Sequence, residues 1–321
     1  MKALLAPAFC LTAVSLASAG VGYRVLDLPY EQKGQAKTLT VAVWHPEPMA
    51  EGARYPVLVF SHGYGGGGLG AQFLTEKLAG RGWIVAAPDH GDAESAARIR
   101  GGRSKNFTRK NFLKHAQEIA SSSPQDRSKY LYRLDEMRLV IDRLFDSAEF
   151  GPHLDKDRLA VGGHSMGGYT ALGLCGTIPE RQDPRIKAVL LFSTGAGAYL
   201  YTEEELAKVK IPSMLFMGER ERTQTRGKAG MTELEDKIFR NLPPPKYFLE
   251  VRGAGHFSFN NGSARTLGSW LFSGTQKQLE VTRRYSIAFL EKFVAGRSEE
   301  GVLAQQDRML TRYLTGAASP R

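Results

Sequence analysis

The segment from residue 158 to residue 175 constrains the fold of this chain more than any other stretch of its sequence. Arg158-Leu-Ala-Val161 is a short apolar run typical of a β-strand, and Tyr169-Thr-Ala-Leu-Gly-Leu-Cys175 is apolar enough to continue as a buried helix. Between them, Gly163-His-Ser165-Met-Gly167 fits the pattern Gly-x-Ser-x-Gly of a sharp turn from strand to helix. Glycine on either side of the serine lets the strand and the helix pack closely. The segment therefore predicts a strand–turn–helix unit with the Ser165 hydroxyl above the edge of a sheet.

The rest of the chain alternates apolar runs of strand type with patterns of helical type. This alternation predicts an α/β fold, in which helices cover both faces of a mostly parallel central sheet. The predicted strands are 56–60, 82–87, 158–161, 186–192, 211–217 and 246–251, preceded by a hairpin of 23–28 and 38–44, and the predicted helices are 69–79, 130–145 and 279–294. Ligands of such sheets bind beyond the carboxyl ends of the strands, where the candidate residues described below are expected to lie.

Two polar segments fall outside this alternation. The segment from about 91 to 128 is long, polar and basic, and we interpret it as an insertion after the strand that ends near Ala87. Long loops in compact domains often act as lids, so this is one candidate role for the insertion. The tail from about 296 to 321 is also polar, and it predicts one short helix around 307–314. No internal repeat or interdomain linker is evident, which predicts a single domain.

The first 19 residues predict a signal peptide. Lys2 supplies a positive start, residues 3–16 are apolar but too short to span a bilayer, and Ala17-Ser-Ala19 resembles a cleavage site. An uncleaved N-terminal helix is the alternative. Cleavage would leave a single domain over 20–321, exported to the periplasm or outside the cell. It would also leave Cys175 as the only cysteine, which we expect to be a small buried side chain without a disulfide partner.

The formal net charge of +10 is partly local. The segment from Ser95 to His115 contains seven lysine and arginine residues and no acidic residue. A solvated surface loop is the favoured interpretation, and weak electrostatic association with an anionic surface, polymer or substrate is the alternative. No nucleic-acid-binding motif accompanies the charge, so we expect no nucleic-acid partner. The oligomeric state stays open.

Ser165 needs two partners before its hydroxyl becomes a nucleophile at neutral pH. A base must lie within hydrogen-bond reach, and an acid must orient that base; with this turn the order along the chain is serine, acid, histidine. His256 is the only histidine after Ser165, and it follows a predicted strand on a glycine-rich loop. Glu221 is the preferred acid, because it stands fourth in the turn Gly218-Glu-Arg-Glu221 after another strand. Glu219 is the second choice, and an acid elsewhere in the chain stays open.

Two backbone amides are expected to stabilise negative charge near Ser165. In a turn of this type, one donor is the N–H of the residue after the serine, which is Met166 here, and the other comes from the loop after an earlier strand. That loop is His62-Gly63-Tyr64-Gly65, and Tyr64 is the preferred second donor. The Tyr64 ring has two open interpretations, as a flank of the reacting group or as a packing element.

No cofactor and no metal ion are expected. Gly63-x-Gly65-x-x-Gly68 formally matches a dinucleotide-binding pattern, but a run of four glycines satisfies many such patterns by accident, and no suitable acidic residue follows at the expected distance. Asp89-His90-Gly91-Asp92 has two carboxylates and an imidazole but no partner cluster elsewhere in the sequence. We therefore expect this second segment to form a turn and to bond with its neighbours.

Taken together, four motifs resemble those of α/β-hydrolases. The motifs are Phe60-Ser-His-Gly-Tyr64-Gly-Gly66, Val85-Ala-Ala-Pro-Asp89-His90, Gly163-His-Ser165-Met-Gly-Gly168 and Gly253-Ala-Gly-His256-Phe257, in that order. Over residues 23–294 the chain is similar to bacterial proteins grouped with dienelactone hydrolases and platelet-activating factor acetylhydrolases, and less closely to cutinase-like polyester hydrolases. The resemblance implies a serine hydrolase that cleaves small-molecule or polymeric carboxylic esters through an acyl-enzyme. A peptidase or amidase on the same triad and a non-catalytic binding protein are the alternatives.

The sequence departs from these relatives at three points. Dienelactone hydrolases use a cysteine where this chain has Ser165. The acetylhydrolases place their acid after the strand that here ends in Leu191-Phe-Ser193-Thr-Gly195, which has no carboxylate. The cutinase-like enzymes place an aspartate after the following strand, which supports Glu221. Their C-terminal disulfide has no counterpart in a mature chain with one cysteine.

Overall fold

A single sheet of nine strands forms the centre of the part of the chain that the computed structural model describes, which is residues 20–96, 109–223, 231–261 and 273–316. The strands are β1 (Gly20–Gln32), β2 (Gln35–Glu47), β3 (Tyr55–Ser61), β4 (Ile84–Pro88), β5 (Leu154–His164), β6 (Ile186–Phe192), β7 (Ser213–Gly218), β8 (Lys246–Val251) and β9 (Leu310–Gly316). They lie in the order β1-β2-β4-β3-β5-β6-β7-β8-β9. The six strands from β4 to β8 in this order are parallel, and the hairpin β1–β2 and the edge strand β9 add antiparallel pairs.

Helices follow most of the parallel strands. They are α1 (Gln72–Ala79), α2 (Arg109–Ala120), α3 (Leu131–Phe145), α4 (Met166–Leu172), α5 (Gly195–Leu200), α6 (Glu203–Leu206), α7 (Met231–Asn241), α8 (Gln276–Leu290) and α9 (Glu300–Leu303). The apolar side chains of α3 recur at helical spacing, at Leu134, Met137, Val140, Ile141 and Leu144, and all five are buried. A capping box between Thr275 and Gln278 fixes the start of α8.

The two faces of the sheet carry separate apolar cores. Along β3, Val57 and Val59 pack into one core with α3 and α4, while Leu58 and Phe60 pack into the other with α1 and α8. Successive side chains of a strand point to opposite faces, so a strand covered on both sides is apolar throughout. These layers confirm the predicted α/β-hydrolase fold with helices on both faces of a mostly parallel sheet.

The predictions for the ends of the chain have different outcomes. The hairpin is confirmed as β1 and β2, but the helix expected around 307–314 is wrong, because residues 310–314 lie in β9, which pairs antiparallel with β8. The edge of β8 offers backbone hydrogen bonds to this strand, and the tertiary pairing outweighs local helix preference. The expected insertion contains α2, while the predicted signal peptide, 1–19, and basic residues 97–108 lie outside the described residues. No helix in the described parts is long and apolar enough to cross a bilayer.

Candidate active site

Ser165 occupies a strained turn between β5 and α4. Its backbone has φ +52° and ψ −117°, and its N–H donates a hydrogen bond of 2.8 Å to the carbonyl of Phe192 at the end of β6. A side chain at Gly163 would overlap the backbone of Gly167, and one at Gly167 would overlap the carbonyl of Ser61. A non-glycine residue in this region of φ and ψ is uncommon and costs energy. The glycines are therefore what allows strand, turn and helix to close around Ser165.

His256 is held against Ser165 from two sides. It begins a short 3₁₀ helix, His256–Phe259, on the loop after β8, and its Nε2 lies 3.0 Å from Ser165 Oγ. The neighbouring His164 donates from Nε2 to the His256 carbonyl at 2.7 Å. Burial, followed by the nearby charge of His256, lowers the pKa of His164 to about 3, so His164 stays neutral. The residue before the serine thus fixes the backbone of the histidine.

Glu221 lies at the other nitrogen of the His256 ring. It follows β7 on the 3₁₀ turn Glu219–Thr223, is completely buried, and has Oε2 3.3 Å from His256 Nδ1. Its Oε1 accepts a hydrogen bond of 2.8 Å from the N–H of Gly218. Glu219, the second choice, instead accepts a hydrogen bond of 2.7 Å from the N–H of Gly253 in the His256 loop. Of the two glutamates, Glu221 therefore lies at the His256 ring, whereas Glu219 lies at the start of the loop that carries His256.

Sequence reasoning missed two polar groups beside Glu221. Ser193 is buried directly after β6, with Oγ 2.5 Å from Glu221 Oε2 and 2.6 Å from His256 Nδ1. Glu235, on α7, is also completely buried, and burial together with the charge of Glu221 raises its pKa well above the usual range. No local motif marks either residue, because both reach the site through the packing of separate elements.

The loop after β3 lies beside the nucleophile. A β-carbon placed on Gly63 would lie 3.2 Å from the β-carbon of Ser165, so the Gly63–Tyr64 backbone borders the serine. Met166 is the first residue of α4, where amides have no acceptor within the helix. The Tyr64 ring packs against His115 of α2, with ring centroids 4.7 Å apart, and so connects this loop to the insertion. This contact favours a packing role for the ring.

Two buried histidines support that loop from below. His62 donates from Nδ1 to the Gly63 carbonyl at 2.6 Å and accepts from the N–H of His90 at Nε2, 3.0 Å away. The ring of His90 lies 2.8 Å from both Ser61 Oγ and Glu136 Oε2. Burial and the nearby Arg133 lower the pKa of both histidines, that of His62 to about 3. Neutral rings can each donate at one nitrogen and accept at the other, as these contacts require.

A buried ion pair also holds the loop after β3, through a hydrogen bond to the His62 carbonyl. Arg133 of α3 is fully buried; its Nη1 lies 2.8 Å from Asp92 Oδ2, and its Nη2 donates to the His62 carbonyl. Asp89 accepts a hydrogen bond of 2.6 Å from the N–H of Gly68. The segment 89–92 therefore forms a turn that bonds to its neighbours, as predicted. Among the described residues there is no group of three or more histidine, cysteine or acidic residues suited to a metal ion.

Comparisons with known proteins find similar chains among hydrolases and esterases. A family model described as PET hydrolase-like matches residues 52–306. Platelet-activating factor acetylhydrolase of Cavia porcellus is 27% identical over 281 residues, 79% of this chain and 60% of that protein. Cutinase est2 of Thermobifida alba is 24% identical over 248 residues, 76% of this chain and 61% of that protein. The chain thus spans about three fifths of the length of these curated relatives.

A solved structure matches nearly the whole chain. The ferulic acid esterase from Streptomyces cinnamoneus superposes with a TM-score of 0.68 at 21% sequence identity, covering 94% of this chain and 98% of that one. At this identity the likeness shows the shared fold.

Proposed function

Because the chain belongs to the PET hydrolase-like family, we propose that it is a serine hydrolase that cleaves carboxylic esters through an acyl-enzyme. One observation carries the proposal: His256 lies 3.0 Å from Ser165 Oγ, while a fully buried carboxylate, Glu221, faces its other nitrogen. A base in contact with the hydroxyl and an acid behind the base are the requirements for activating a serine.

The reaction proceeds in two halves. Ser165 Oγ attacks the ester carbonyl as His256 Nε2 removes its proton, and the alcohol leaves with that proton. Water then attacks the acyl-enzyme, with His256 again first base and then acid. Glu221 keeps the imidazole oriented with Nε2 toward the serine and stabilises the positive charge that the ring acquires. No cofactor takes part in these steps.

The carbonyl oxygen becomes negative in each half and needs donors. We assign the backbone N–H groups of Tyr64 and Met166 to this role, since their segments border Ser165 on two sides. One such donor is worth about 3 kcal/mol of barrier in enzymes of this kind. The buried support of the Tyr64 loop by His62 and Arg133 fits a donor that must not move.

The test is hydrolysis of p-nitrophenyl esters. The wild-type protein should cleave the acetate and the butyrate, and Ser165→Ala should abolish turnover while leaving the circular dichroism spectrum and Tm unchanged. A fluorophosphonate probe should label the wild-type protein and leave Ser165→Ala unlabelled. Full activity in Ser165→Ala, or cleavage of anilides without cleavage of esters, would sink the proposal. Absence of both turnover and labelling in the wild-type protein would indicate a binding protein.

Acyl length distinguishes small esters from polymers as substrates. The side chain of His256 is 25% exposed, so solvent reaches the catalytic groups. A panel of p-nitrophenyl esters of increasing chain length, followed by an insoluble polyester film, measures how far the site is open. Turnover that ends at short chains indicates a closed pocket, and release of soluble products from the film indicates an open groove.

We also propose export of the chain and weak association of its basic segment with anionic surfaces. The support for export lies in the first 19 residues, where Lys2, an apolar stretch and Ala17-Ser-Ala19 are typical of a cleavable signal peptide. N-terminal sequencing of the protein from a bacterial periplasm should then begin at Gly20, and an intact Met1 would contradict export by cleavage. The fraction of the protein that sediments with anionic vesicles should decrease as the salt concentration is raised, because screening by salt shortens the range of electrostatic attraction.

A further inference from the structure

Ser193 occupies a backbone conformation that a serine rarely adopts. It follows β6 with φ +48° and is completely buried, and its N–H donates a hydrogen bond of 2.8 Å to the carbonyl of Phe216 in β7. Non-glycine residues with positive φ are uncommon, and they cluster at functional sites when the surroundings enforce them. Ser165 is held at nearly the same angle, φ +52°, at the end of the adjacent strand β5. Two neighbouring strands of the sheet therefore end in strained serines.

The Ser193 hydroxyl lies between the acid and the base of the triad. Its Oγ is 2.5 Å from Glu221 Oε2 and 2.6 Å from His256 Nδ1, whereas the direct distance from Glu221 Oε2 to His256 Nδ1 is 3.3 Å. The two contacts through the hydroxyl are thus shorter than the contact that they bridge. A hydroxyl has one hydrogen to donate and lone pairs to accept with, so it can serve both neighbours at once.

The direction of each hydrogen bond follows from its partners. An ionised carboxylate only accepts, so the Ser193 hydrogen points to Glu221. His256 Nε2 must accept the proton of Ser165, so Nδ1 carries the ring hydrogen and donates it to Ser193 Oγ. The chain Glu221–Ser193–His256–Ser165 is then continuous, and each hydrogen bond polarises the next. No proton has to leave Ser193 during the reaction.

Packing keeps the Ser193 hydroxyl in place. A side chain at Gly168 of α4 would overlap the side chain of Thr194, so the backbone after Ser193 lies tightly against the helix that Ser165 begins. Glu235 of α7 is completely buried and lies near enough to Glu221 to interact with its charge. The backbone that carries the hydroxyl is thus packed against a helix, and the hydroxyl itself contacts the buried Glu221.

We propose that Ser193 is a positioning residue, through which Glu221 orients His256 and stabilises the imidazolium that forms when Ser165 is deprotonated. This inference rests on the proposed ester hydrolysis by Ser165. Glu221 then acts on His256 through the Ser193 hydroxyl. Hydrogen bonds between a hydroxyl and a charged group are shorter and stronger than those between neutral groups.

Ser193→Ala and Ser193→Gly test the proposal with the same ester assay. Both should lower kcat by roughly 10- to 100-fold and change KM by less than about twofold, because the lost hydrogen bond strengthens only as charge develops on His256. Ser193→Gly should fold at least as stably as the wild-type protein, since glycine accepts φ +48° freely. Ser286→Ala is the matched control, because Ser286 is equally buried and, among the described residues, bonds to the Thr282 carbonyl within α8 alone. It should leave kcat unchanged.

A double-mutant cycle shows whether Ser193 contributes to kcat through Glu221 or independently of it. If Ser193 acts through the same hydrogen-bond chain as Glu221, Ser193→Ala/Glu221→Gln should lose no more than about threefold beyond Glu221→Gln alone, because effects of residues that act as a unit are non-additive. Losses that multiply in the double variant, or a loss below tenfold in both single Ser193 variants, would overturn the proposal.

The outcomes also separate this inference from the proposed function. If the wild-type protein cleaves esters and Ser165→Ala is inactive, but both Ser193 variants keep normal kcat, only the relay is wrong. If Ser165→Ala keeps full activity, or the wild-type protein cleaves no ester, the hydrolase assignment and the relay are both wrong.

Discussion

His164 donates a hydrogen bond from Nε2 to the backbone carbonyl of His256, 2.7 Å away. The residue beside the candidate nucleophile therefore fixes the backbone of the candidate base. His164→Leu removes this donor and should lower kcat/KM for p-nitrophenyl acetate by roughly five- to tenfold, since a net hydrogen bond is worth about 1–1.5 kcal/mol. His164→Gln keeps an N–H donor of similar reach and should stay within a few-fold of the wild-type value. Equal losses in both variants would show that ring packing, rather than the hydrogen bond, matters.

The two glutamates after β7 have different expected effects. Glu221→Gln removes the charge behind His256 and should lower kcat by about 10³- to 10⁴-fold, as neutralising the acid does in other serine hydrolases. Glu219→Gln keeps an oxygen that can accept the hydrogen bond from the N–H of Gly253, so kcat should fall less than about fivefold. Initial rates at saturating ester decide between them. A larger loss in Glu219→Gln would transfer the acid role to Glu219.

The candidate site could be predicted from the sequence where a residue carries a local signal. Ser165 lies in a strand–turn–helix pattern, and His256 is the only histidine that follows it. Glu221 follows a strand at a spacing that allows it to reach the histidine. Ser193 and Glu235 have no such signal, because their proximity to Glu221 arises from the pairing of β6 with β7 and from the packing of α7.

The fold could be predicted where the spacing of apolar residues indicates a buried strand or helix. It could be predicted less well where contacts between distant segments determine the structure. The continuous apolar run of β3 predicts a strand that is buried on both faces. In contrast, β9 is polar and becomes a strand only because the edge of β8 is available for pairing. Arg133 has the sequence pattern of a surface charge on an amphipathic helix. It is nevertheless fully buried, because its guanidinium donates hydrogen bonds to Asp92 and to the His62 carbonyl.

The close approach of β5 and α4 at the Ser165 turn predicts a large effect of one methyl group. Gly163→Ala would place a β-carbon into the backbone of Gly167, which cannot move without opening the turn. We expect a loss of at least about 1–3 kcal/mol in the free energy of unfolding, typical of overpacking, and loss of ester turnover. Gly301→Ala is the control, because open space surrounds Gly301 on α9. A Gly163→Ala variant as stable and active as Gly301→Ala would show that the Ser165 turn does not require glycine at position 163.

The ion pair that holds the loop after β3 should be important for stability. Arg133→Met leaves Asp92 buried without its cationic partner, which costs about 3–5 kcal/mol in comparable cases. The His62 carbonyl also loses its donor, so kcat/KM should fall in whatever fraction stays folded. Arg24→Ala removes an exposed pair with Glu149, and its cost should be at most about 1 kcal/mol. Urea unfolding of both variants measures the difference, and equal costs would contradict a structural role for the buried pair.

Three buried neutral histidines should make the fold sensitive to acid. Burial lowers the pKa of His62 and of His164 to about 3, and that of His90 well below its usual range. In the unfolded chain a histidine has a pKa of about 6.5, so below that pH the unfolded state binds protons that the folded state excludes. The free energy of unfolding should therefore fall as pH decreases from about 6.5 toward 3, by up to about 1.4 kcal/mol per pH unit for each histidine.

His164→Gln isolates the share of one histidine in this acid sensitivity. Glu136 and Glu235, whose pKa values burial raises, titrate with the opposite sign, and comparing variants cancels their contribution. Between pH 6 and pH 4, the unfolding free energy of His164→Gln should fall less steeply than that of the wild-type protein, by about 1.4 kcal/mol per pH unit. Ser286→Ala, which changes no ionisable group, should keep the wild-type slope. Identical slopes for all three proteins, measured by urea unfolding, would mean that His164 takes up its proton in the folded state.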